Sequence, residues 1–221
     1  MTSDVLPNFR YIAKKRRPKE DRRFVSGFGH FVADVTLPGM LHAAVVASPH
    51  PQARIRSIDV RAALALPGVH TVLTGADLAR ASDPLGSGVD IPKVRRYPLA
   101  VDRARYVGEW VAVVVADTRH IAEDAAELVE VDYEPLPPVV DPEAAMAADA
   151  PLVHPDHGAN VIFRRKFVWG PVEEDFARAP HNLSFRARWH RNATVPIETF
   201  GVVASWDPAS RLLEIWASIQ M

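Results

Sequence analysis

Two polar side chains near the end of the sequence stand where a carboxylate or an amide could do chemistry. Glu198 lies between Ile197 and Thr199 in an apolar stretch, and a buried carboxylate needs a partner and can act as a general base. The residues alone favour a structural carboxylate bonded to backbone N–H groups or to an arginine. Gln220 interrupts an apolar run, where a side-chain amide must find partners, so by itself it is also interpreted as structural.

A histidine pair is the next candidate for ligand chemistry. His154 and His157 are three residues apart, a spacing that helical metal ligands can have. Pro155 and Gly158 argue against a helix, and no carboxylate triad accompanies the pair, so a structural interpretation is favoured. The sequence therefore predicts no direct metal ligands and no complete catalytic set.

Glycine and cysteine usage narrows the chemistry further. Gly27 and Gly29 form a G-x-G, but neither a third glycine at dinucleotide spacing nor a helical pattern follows, so a phosphate loop is disfavoured. The chain has no cysteine, which excludes disulfides, thiolate zinc sites and Cys-ligated iron–sulfur clusters within it.

The stretch that carries Glu198 and Gln220 predicts a β-hairpin. Phe200–Trp206 is rich in β-branched and aromatic residues, Asp207–Ser210 has turn composition, and Leu212–Gln220 forms the second strand. Alternate apolar residues in the second strand predict one buried face. Because the chain stops soon after this apolar strand, we expect another polypeptide to complete the domain.

Charge is distributed unevenly along the chain. Residues 1–23 carry eight Lys or Arg and three Asp or Glu, a net charge of +5, and the remainder carries −6. We expect residues 1–23 to be an extended basic arm that is solvated or docked on a partner subunit. The overall net charge of −1 argues against a nucleic-acid binder.

Residues 24–148 predict a mixed layer of strands and helices, of the α/β or α+β class. Val111–Ala116 is expected to be the central strand, and His120–Val129 an amphipathic helix capped by Thr118. Phe24–Asp34 is expected to form a strand or short hairpin. Residues 149–160 resemble a linker. Beyond it, Ile162–Trp169 and Asn182–Trp189 are expected to be strands.

An ordered series of short motifs gives the chain its family resemblance. It resembles the start of the molybdenum-cofactor-binding (large) subunit of the xanthine oxidase, aldehyde oxidase and carbon monoxide dehydrogenase family of molybdenum hydroxylases. The matching motifs are Glu20-Asp21, Gly27-Phe28-Gly29, Asp34, Leu37-Pro38-Gly39, Leu41-His42-Ala43, Ser48-Pro49-His50, Ala53-Arg54-Ile55, Ser57-Ile58-Asp59, Pro67-Gly68-Val69, Arg105-Tyr106-Val107-Gly108-Glu109, Val129-Glu130-Val131-Asp132-Tyr133-Glu134, Pro196-Ile197-Glu198-Thr199 and Ser218-Ile219-Gln220.

The resemblance implies an α+β fold with two parts. Residues 24–148 would form the family's α/β hammerhead domain, and residues 161–221 the incomplete first strands of its molybdopterin-binding domain. It assigns Gln220 to cofactor binding, with its amide directed at an oxo ligand of molybdenum. Glu198 would have a structural role behind the site, bracing the strand pair.

The implied activity is hydroxylation of an aldehyde, an N-heterocycle or a similar small molecule, with water as the oxygen source. A molybdopterin cofactor, in the cytosine dinucleotide form in some members, would be shared with a complementary molybdopterin-domain subunit. Electrons would pass to a 2Fe-2S subunit and an FAD subunit. The cofactor carries the difficult chemistry and the protein positions it.

The chain also departs from the family pattern. Ala47 stands where the family usually has Arg, and Trp110 where it usually has Pro. The glycine-rich pterin loop and the late catalytic Glu do not occur in the 221 residues. We therefore expect either one half of a split subunit or a fragment. A non-catalytic assembly module is the alternative.

The sequence also predicts the compartment. No apolar run reaches transmembrane length, and the first residues lack the apolar core of a signal peptide. We therefore expect no membrane association and a cytoplasmic location.

Overall fold

The computed structural model describes residue 10 and residues 18–86, 94–190, 192–193 and 195–219. Within these ranges the strands are β1 (His42–Ala47), β2 (Ala53–Asp59), β3 (Val69–Thr74), β4 (Arg103–Ala104), β5 (Trp110–Ala116), β6 (Glu130–Pro135), β7 (Val202–Asp207) and β8 (Leu212–Ala217). The helices are α1 (Asp21–Val25), α2 (Arg61–Leu64), α3 (Gly75–Ala81), α4 (Arg119–Glu127) and α5 (Val172–Arg178), with 3₁₀ turns at Val32–Asp34, Ala144–Met146 and Pro155–His157.

The chain forms two compact units. Gly39–Ser184 make up one, and Met1–Pro38 together with Phe185–Met221 make up the other. The first unit holds two three-stranded antiparallel sheets, in the orders β1-β5-β3 and β4-β2-β6. The second holds the β7–β8 hairpin. Each unit is described separately below.

Strand β5 is central to the larger unit, as its apolar run predicts. It pairs with β1 on one side and β3 on the other, so its backbone groups are satisfied on both edges. On one face of this sheet Ala112 and Val114 pack with Ala63 of α2 and with Ala125 and Val129 at the end of α4. The helices that follow β2 and β5 thus cover one side of the sheet and form the core.

Helix α4 begins where its N-cap predicts. The Thr118 hydroxyl accepts a hydrogen bond from the backbone N–H of Ile121 at 3.2 Å, which satisfies one of the unpaired donors of the first turn. Its buried residues, Ala122 and Ala125, are small, and this allows the helix to lie close to the sheet.

The expected strand or hairpin over Phe24–Asp34 is wrong. Asp21–Val25 is a helical turn, and Val32–Asp34 is a 3₁₀ turn whose Asp34 carboxylate accepts the Phe31 N–H at 2.9 Å. Local hydrogen bonds hold most of the paired backbone groups of this segment, and no described strand lies alongside it to form a ladder.

The two strands expected at Ile162–Trp169 and Asn182–Trp189 are also absent from the described residues. Their alternating pattern is present, but a strand needs a neighbour that accepts and donates along its edge, and none is paired there in the described ranges. The apolar side chains remain exposed; Leu183 retains 92% of its accessible surface. Alternation alone did not determine the conformation.

The first turn of α3 leaves no room for a side chain at Gly75. An added Cβ would lie 2.0 Å from the carbonyl oxygen of Ala100 and 2.8 Å from Cα of Val101. Gly75→Ala is expected to lower the free energy of unfolding by about 1–3 kcal/mol, because the backbone at Ala100 must move.

Urea denaturation of the chain, followed by tryptophan fluorescence, measures this effect. Gly86→Ala is the matched control, since a Cβ at Gly86 meets no atom of the described residues within 4 Å, and its effect should stay within about 0.5 kcal/mol. Equal stability of the two variants would contradict the close approach at Gly75.

Candidate functional site

The β7–β8 hairpin places the segment that precedes Gln220. Its register pairs Val202 with Ala217 at the open end and Asp207 with Leu212 at the turn. At the turn the Asp207 carboxylate accepts the Ala209 N–H at 2.9 Å and the Ser210 hydroxyl at 2.5 Å. These bonds, with Ser210 the largest contributor, lower the pKa of Asp207.

Within the chain, the described residues leave the predicted buried face of this hairpin uncovered. The β8 side chains Leu213 and Ile215 retain 53% and 59% of their accessible surface, and Trp206 on the paired strand retains 56%. With Val202 they form one apolar face, because paired residues share a side of the ladder. No second layer from the described residues buries this face. Val203, on the other side, is buried.

The hairpin ends in an irregular pair, Gly201 and Ser218. Residues of a hydrogen-bonded antiparallel pair exchange two backbone bonds. Ser218 donates its N–H to the Gly201 carbonyl at 3.0 Å, but the Gly201 N–H goes to the Ser218 hydroxyl oxygen at 2.9 Å. That hydroxyl donates its proton to the carbonyl of Thr199, also at 2.9 Å. The side chain thus replaces the Ser218 carbonyl as the acceptor.

Glu198 bonds to a distant part of the same unit. Its Oε1 accepts the backbone N–H of Val32 at 3.0 Å, and its structural role stays a prediction. A Cβ added to Gly201 would lie 3.3 Å from Cγ1 of Val32 and 3.7 Å from the Ser218 hydroxyl oxygen. We refer to Val32, Glu198, Thr199, Gly201 and Ser218 as the strand-end corner.

Gln220, the predicted cofactor-binding residue, lies outside the described residues, so its role stays a prediction. The donor chemistry is suitable, because a neutral carboxamide offers two N–H donors to an acceptor-only oxo group. In the strand-end corner, the Ser218 hydroxyl is engaged by the backbone N–H of Gly201 and the carbonyl of Thr199.

The sequence also raised a glycine loop and a histidine pair as candidates for ligand binding, and in both the structure shows contacts with other parts of the chain. The space beside Gly29 is filled by the Phe24 ring, whose Cδ1 lies 2.3 Å from an ideal Cβ position, so this loop forms no open phosphate cradle. His157 lies in a 3₁₀ turn, and its Nε2 is 3.3 Å from the carbonyl oxygen of Val161. In the described ranges no group of three or more potential metal ligands occurs.

Arg105 and Glu109 form a polar cluster in the larger unit, which the sequence analysis did not identify as a site. The Arg105 guanidinium donates to the carbonyl of Arg103 at 2.8 Å and forms an ion pair with Glu109 at 3.9 Å. Glu109 also accepts the backbone N–H of Arg105. Burial raises the pKa of Glu109, and the bond from Arg105 opposes that shift. The only sequence signal was the Arg105–Glu109 motif.

The predicted linker is fixed by side-chain amides. Buried Gln52 donates to the carbonyl of Leu152 at 3.2 Å. Asn160 accepts the Val153 N–H at 3.0 Å and donates to the carbonyls of Pro151 and Ala145 at 2.9 and 3.1 Å. Next to this segment, burial of the His154 ring, and then Arg105 and other cations, lower the pKa of His154.

Comparison with protein families decides the assignment. Residues 26–137 match the family model described as aldehyde oxidase and xanthine dehydrogenase, a/b hammerhead domain, and residues 153–221 match the molybdopterin cofactor-binding domain. The chain belongs to the aldehyde oxidase and xanthine dehydrogenase family. The predicted family and the predicted α+β fold class are both confirmed.

Individual relatives agree with this family. The chain is 42% identical to the carbon monoxide dehydrogenase large chain of Afipia carboxidovorans, over 93% of this chain and 27% of that protein. It is 36% identical to the nicotine 6-hydroxylase large subunit of Paenarthrobacter nicotinovorans, over 97% and 27%. Quinoline 2-oxidoreductase from Pseudomonas putida 86 superposes with a TM-score of 0.80 and 39% identity, over 92% of this chain and 26% of that one.

The chain thus spans about a quarter of the length of these three relatives. The second family model implies a molybdenum cofactor. Of the helices in the described residues, none is long and apolar enough to cross a membrane.

The lowered pKa of His154 predicts a pH dependence of stability. Above its ordinary pKa of about 6.5 the imidazole is neutral in both folded and unfolded chains. Below that pH the unfolded chain takes up the proton first, so stability falls until the pH passes the folded-state pKa. His154→Gln should therefore flatten the loss of stability between about pH 7 and pH 5.

Urea midpoints measured at several pH values test this expectation. His120→Gln, an exposed histidine at the start of α4, is the matched control and should leave the profile unchanged. A wild-type pH profile in the His154→Gln variant would contradict the prediction.

Proposed function

We propose that this chain is the N-terminal part of a molybdenum hydroxylase large subunit and works within a multi-subunit complex. The complex would oxidise an aldehyde, an N-heterocycle or a similar small molecule, with water as the oxygen source. The observation that carries the proposal is the order of the two family matches, a hammerhead domain followed by a molybdopterin-binding domain. Relatives named for nicotine and quinoline support an N-heterocycle as substrate.

The proposed cofactor is molybdopterin with molybdenum, in the cytosine dinucleotide form. When bound, it would supply the redox and oxygen-transfer chemistry. Gln220 is the residue of this chain proposed to contact it. The electrons would pass to a 2Fe-2S cluster and to FAD in other subunits. The 221 residues contain no cysteine, so they cannot themselves hold the cluster, because cluster iron is held by cysteine thiolates.

The proposed partner closest to the site is a polypeptide that carries the rest of the molybdopterin-binding domain. The exposed apolar face of the β7–β8 hairpin supports it, since a hairpin gains independent stability only when its hydrophobic face is packed. We also propose that the basic arm, residues 1–23, docks on a partner subunit. Most of this arm lies outside the described residues.

The proposed organisation keeps the predicted boundaries. Residues 24–148 would be the hammerhead domain, 149–160 the linker, and 161–221 the first part of the molybdopterin-binding domain. The Asn160 and Gln52 hydrogen bonds support a fixed linker rather than a free one. The proposed location of the complex is the cytoplasm.

A non-catalytic assembly module is the alternative function. One observation favours it: the described polar groups of the strand-end corner bond to backbone rather than forming an open ligand set. Molybdenum analysis of the purified complex separates the two functions. One molybdenum per copy of this chain supports the hydroxylase, and a stable complex without molybdenum supports the assembly module.

Gln220 gives the sharpest test of the hydroxylase. In the assembled complex, Gln220→Ala should leave folding and molybdenum content intact and lower turnover roughly ten- to a thousandfold, the scale for losing one preorganised donor. Gln220→Glu is the shape-matched variant, because a carboxylate keeps the size but lacks the N–H donors. Steady-state kinetics on metal-loaded complexes measure both variants. Wild-type turnover in both would remove Gln220 from the site.

The apolar hairpin face gives a test of the partner. The chain expressed alone should self-associate, and coexpression with the complementary polypeptide should give a defined complex in size-exclusion chromatography. Ile215→Lys should weaken that complex, because it places a charge on the apolar face, whereas Glu214→Lys on the opposite side serves as the control. A monodisperse wild-type chain with a cooperative thermal transition would argue against this surface as an interface.

A further inference from the structure

Strand β1 has a free edge in the described part of the larger unit. It lies at one end of the sheet order β1-β5-β3, and among the described strands it pairs only with β5. In an antiparallel ladder, alternate residues of an edge strand direct their backbone N–H and C=O groups away from the neighbour. Such a row of unpaired groups is a template for another strand. The free edge of β1 therefore offers backbone hydrogen bonds to a further extended segment.

A groove of about 360 Å³ lies at this edge. It is lined by the consecutive β1 residues 44–47 and by Glu123, Ala126 and Glu127 of α4. Consecutive strand residues point to opposite faces of a sheet, so a groove that contacts all four borders the strand from its side. The three helix residues are three and four positions apart and form one stripe of α4. The groove therefore separates the free edge of β1 from that stripe.

The helix side of the groove is acidic. Glu123 and Glu127 are exposed, and neither carboxylate forms an ion pair with another described residue. Like charges four positions apart on a helix repel each other. Cationic groups placed beside the two carboxylates offset that repulsion, so the charge of the groove favours a basic occupant.

The spacing of the two carboxylates gives the pattern of this occupant. Four residues of an α-helix rise about 6 Å, and two residues of an extended strand advance about 7 Å. Basic side chains two positions apart in a strand beside β1 thus match Glu123 and Glu127. The residue between them points to the opposite face of the sheet. Val46 packs against the core on the α4 side, so its neighbour Val45, 41% exposed, lies on that opposite face and suits an apolar side chain.

A second copy of this chain is a poorer occupant of the groove. Two β1 edges paired about a twofold axis, as in an isologous dimer, would place both copies of α4 on the same face of the joined sheet. The stripes that carry Glu123 and Glu127 would then face each other across the joint. Four carboxylates would be brought towards one another, and this repulsion favours a different polypeptide.

We propose that the free edge of β1 is the docking site for an extended segment of another polypeptide of the complex, with the pattern basic–apolar–basic. The segment adds a fourth strand next to β1. Main-chain hydrogen bonds to β1 supply affinity, and Glu123 and Glu127 select the basic side chains. The site lies within the hammerhead match, residues 26–137. The inference rests on the proposed multi-subunit complex, but it depends neither on Gln220 nor on molybdenum.

The experiment uses the complex that contains this chain, purified from the cells that produce it. Residue-resolved amide hydrogen exchange is measured in β1, with β5, which is paired on both edges, as the reference. The charge variants are Glu123→Lys and Glu127→Lys. Asp124→Lys is the matched control, because Asp124 is an exposed acid of the same helix that does not line the groove.

A photo-cross-linker identifies the docked segment. The substitution Ala43→benzoylphenylalanine places the cross-linker on an exposed residue of β1 that does not line the groove. Mass spectrometry of the cross-linked peptide then gives the sequence of the segment beside β1. It should belong to a different polypeptide and contain two basic residues that flank an apolar one.

In the complex, all amides of β1 are expected to exchange within about tenfold of those of β5, because a docked strand pairs the outward N–H groups. Glu123→Lys and Glu127→Lys should each speed exchange in β1 about three- to tenfold, since each removes an ion pair and adds a repulsion. Asp124→Lys should match the wild type.

Three results would overturn the proposal. They are fast exchange at alternate amides of β1 in the complex, cross-links that lead only to this chain or to another copy of it, and wild-type exchange in both glutamate variants. Molybdenum content separates this test from the proposed function. A docked edge in a complex without molybdenum would overturn the hydroxylase alone, and an open edge in a complex with molybdenum would overturn the docking site alone.

Discussion

Every β-strand must find neighbours for its backbone N–H and C=O groups, and this requirement governs the chain more than any single side-chain contact. In the larger unit β5 meets it on both edges, which allows the helices to pack on a completed sheet. Residues 162–169 and 182–189 have the side-chain pattern of strands, yet no described strand pairs with them. The same requirement thus explains both the ordered sheet and the absence of strands from these two described segments.

Side chains that substitute for backbone partners determine where the elements end. At the start of α4 the Thr118 hydroxyl accepts the backbone N–H of Ile121. In the hairpin turn the Asp207 carboxylate accepts the backbone N–H of Ala209. Ser218 does the same at the open end of the hairpin, where its hydroxyl replaces a carbonyl. Each is a short polar side chain that competes with the backbone for hydrogen bonds. Ser218 lies two residues before Gln220, the residue that we propose contacts the cofactor.

The hairpin combines a well-defined backbone with an uncovered apolar face. Its ladder and turn are satisfied internally, whereas Trp206, Leu213 and Ile215 remain exposed. The chain spans about a quarter of the carbon monoxide dehydrogenase large chain and of the quinoline 2-oxidoreductase chain, and the rest of such a domain is the second layer that we propose to cover this face.

The sequence alone determined the elements whose signals are local. The apolar run of β5, the Thr118 cap and the Asp207 turn each follow from residues within a few positions, and the ordered motifs led to the family. The tertiary structure decided what depends on distant partners: Glu198 bonds to Val32, 166 residues earlier in the chain, and the Phe24–Asp34 segment forms turns rather than a strand. A periodic pattern states which side chains share a face. It does not state which backbone will lie beside them, because that neighbour is set by long-range packing.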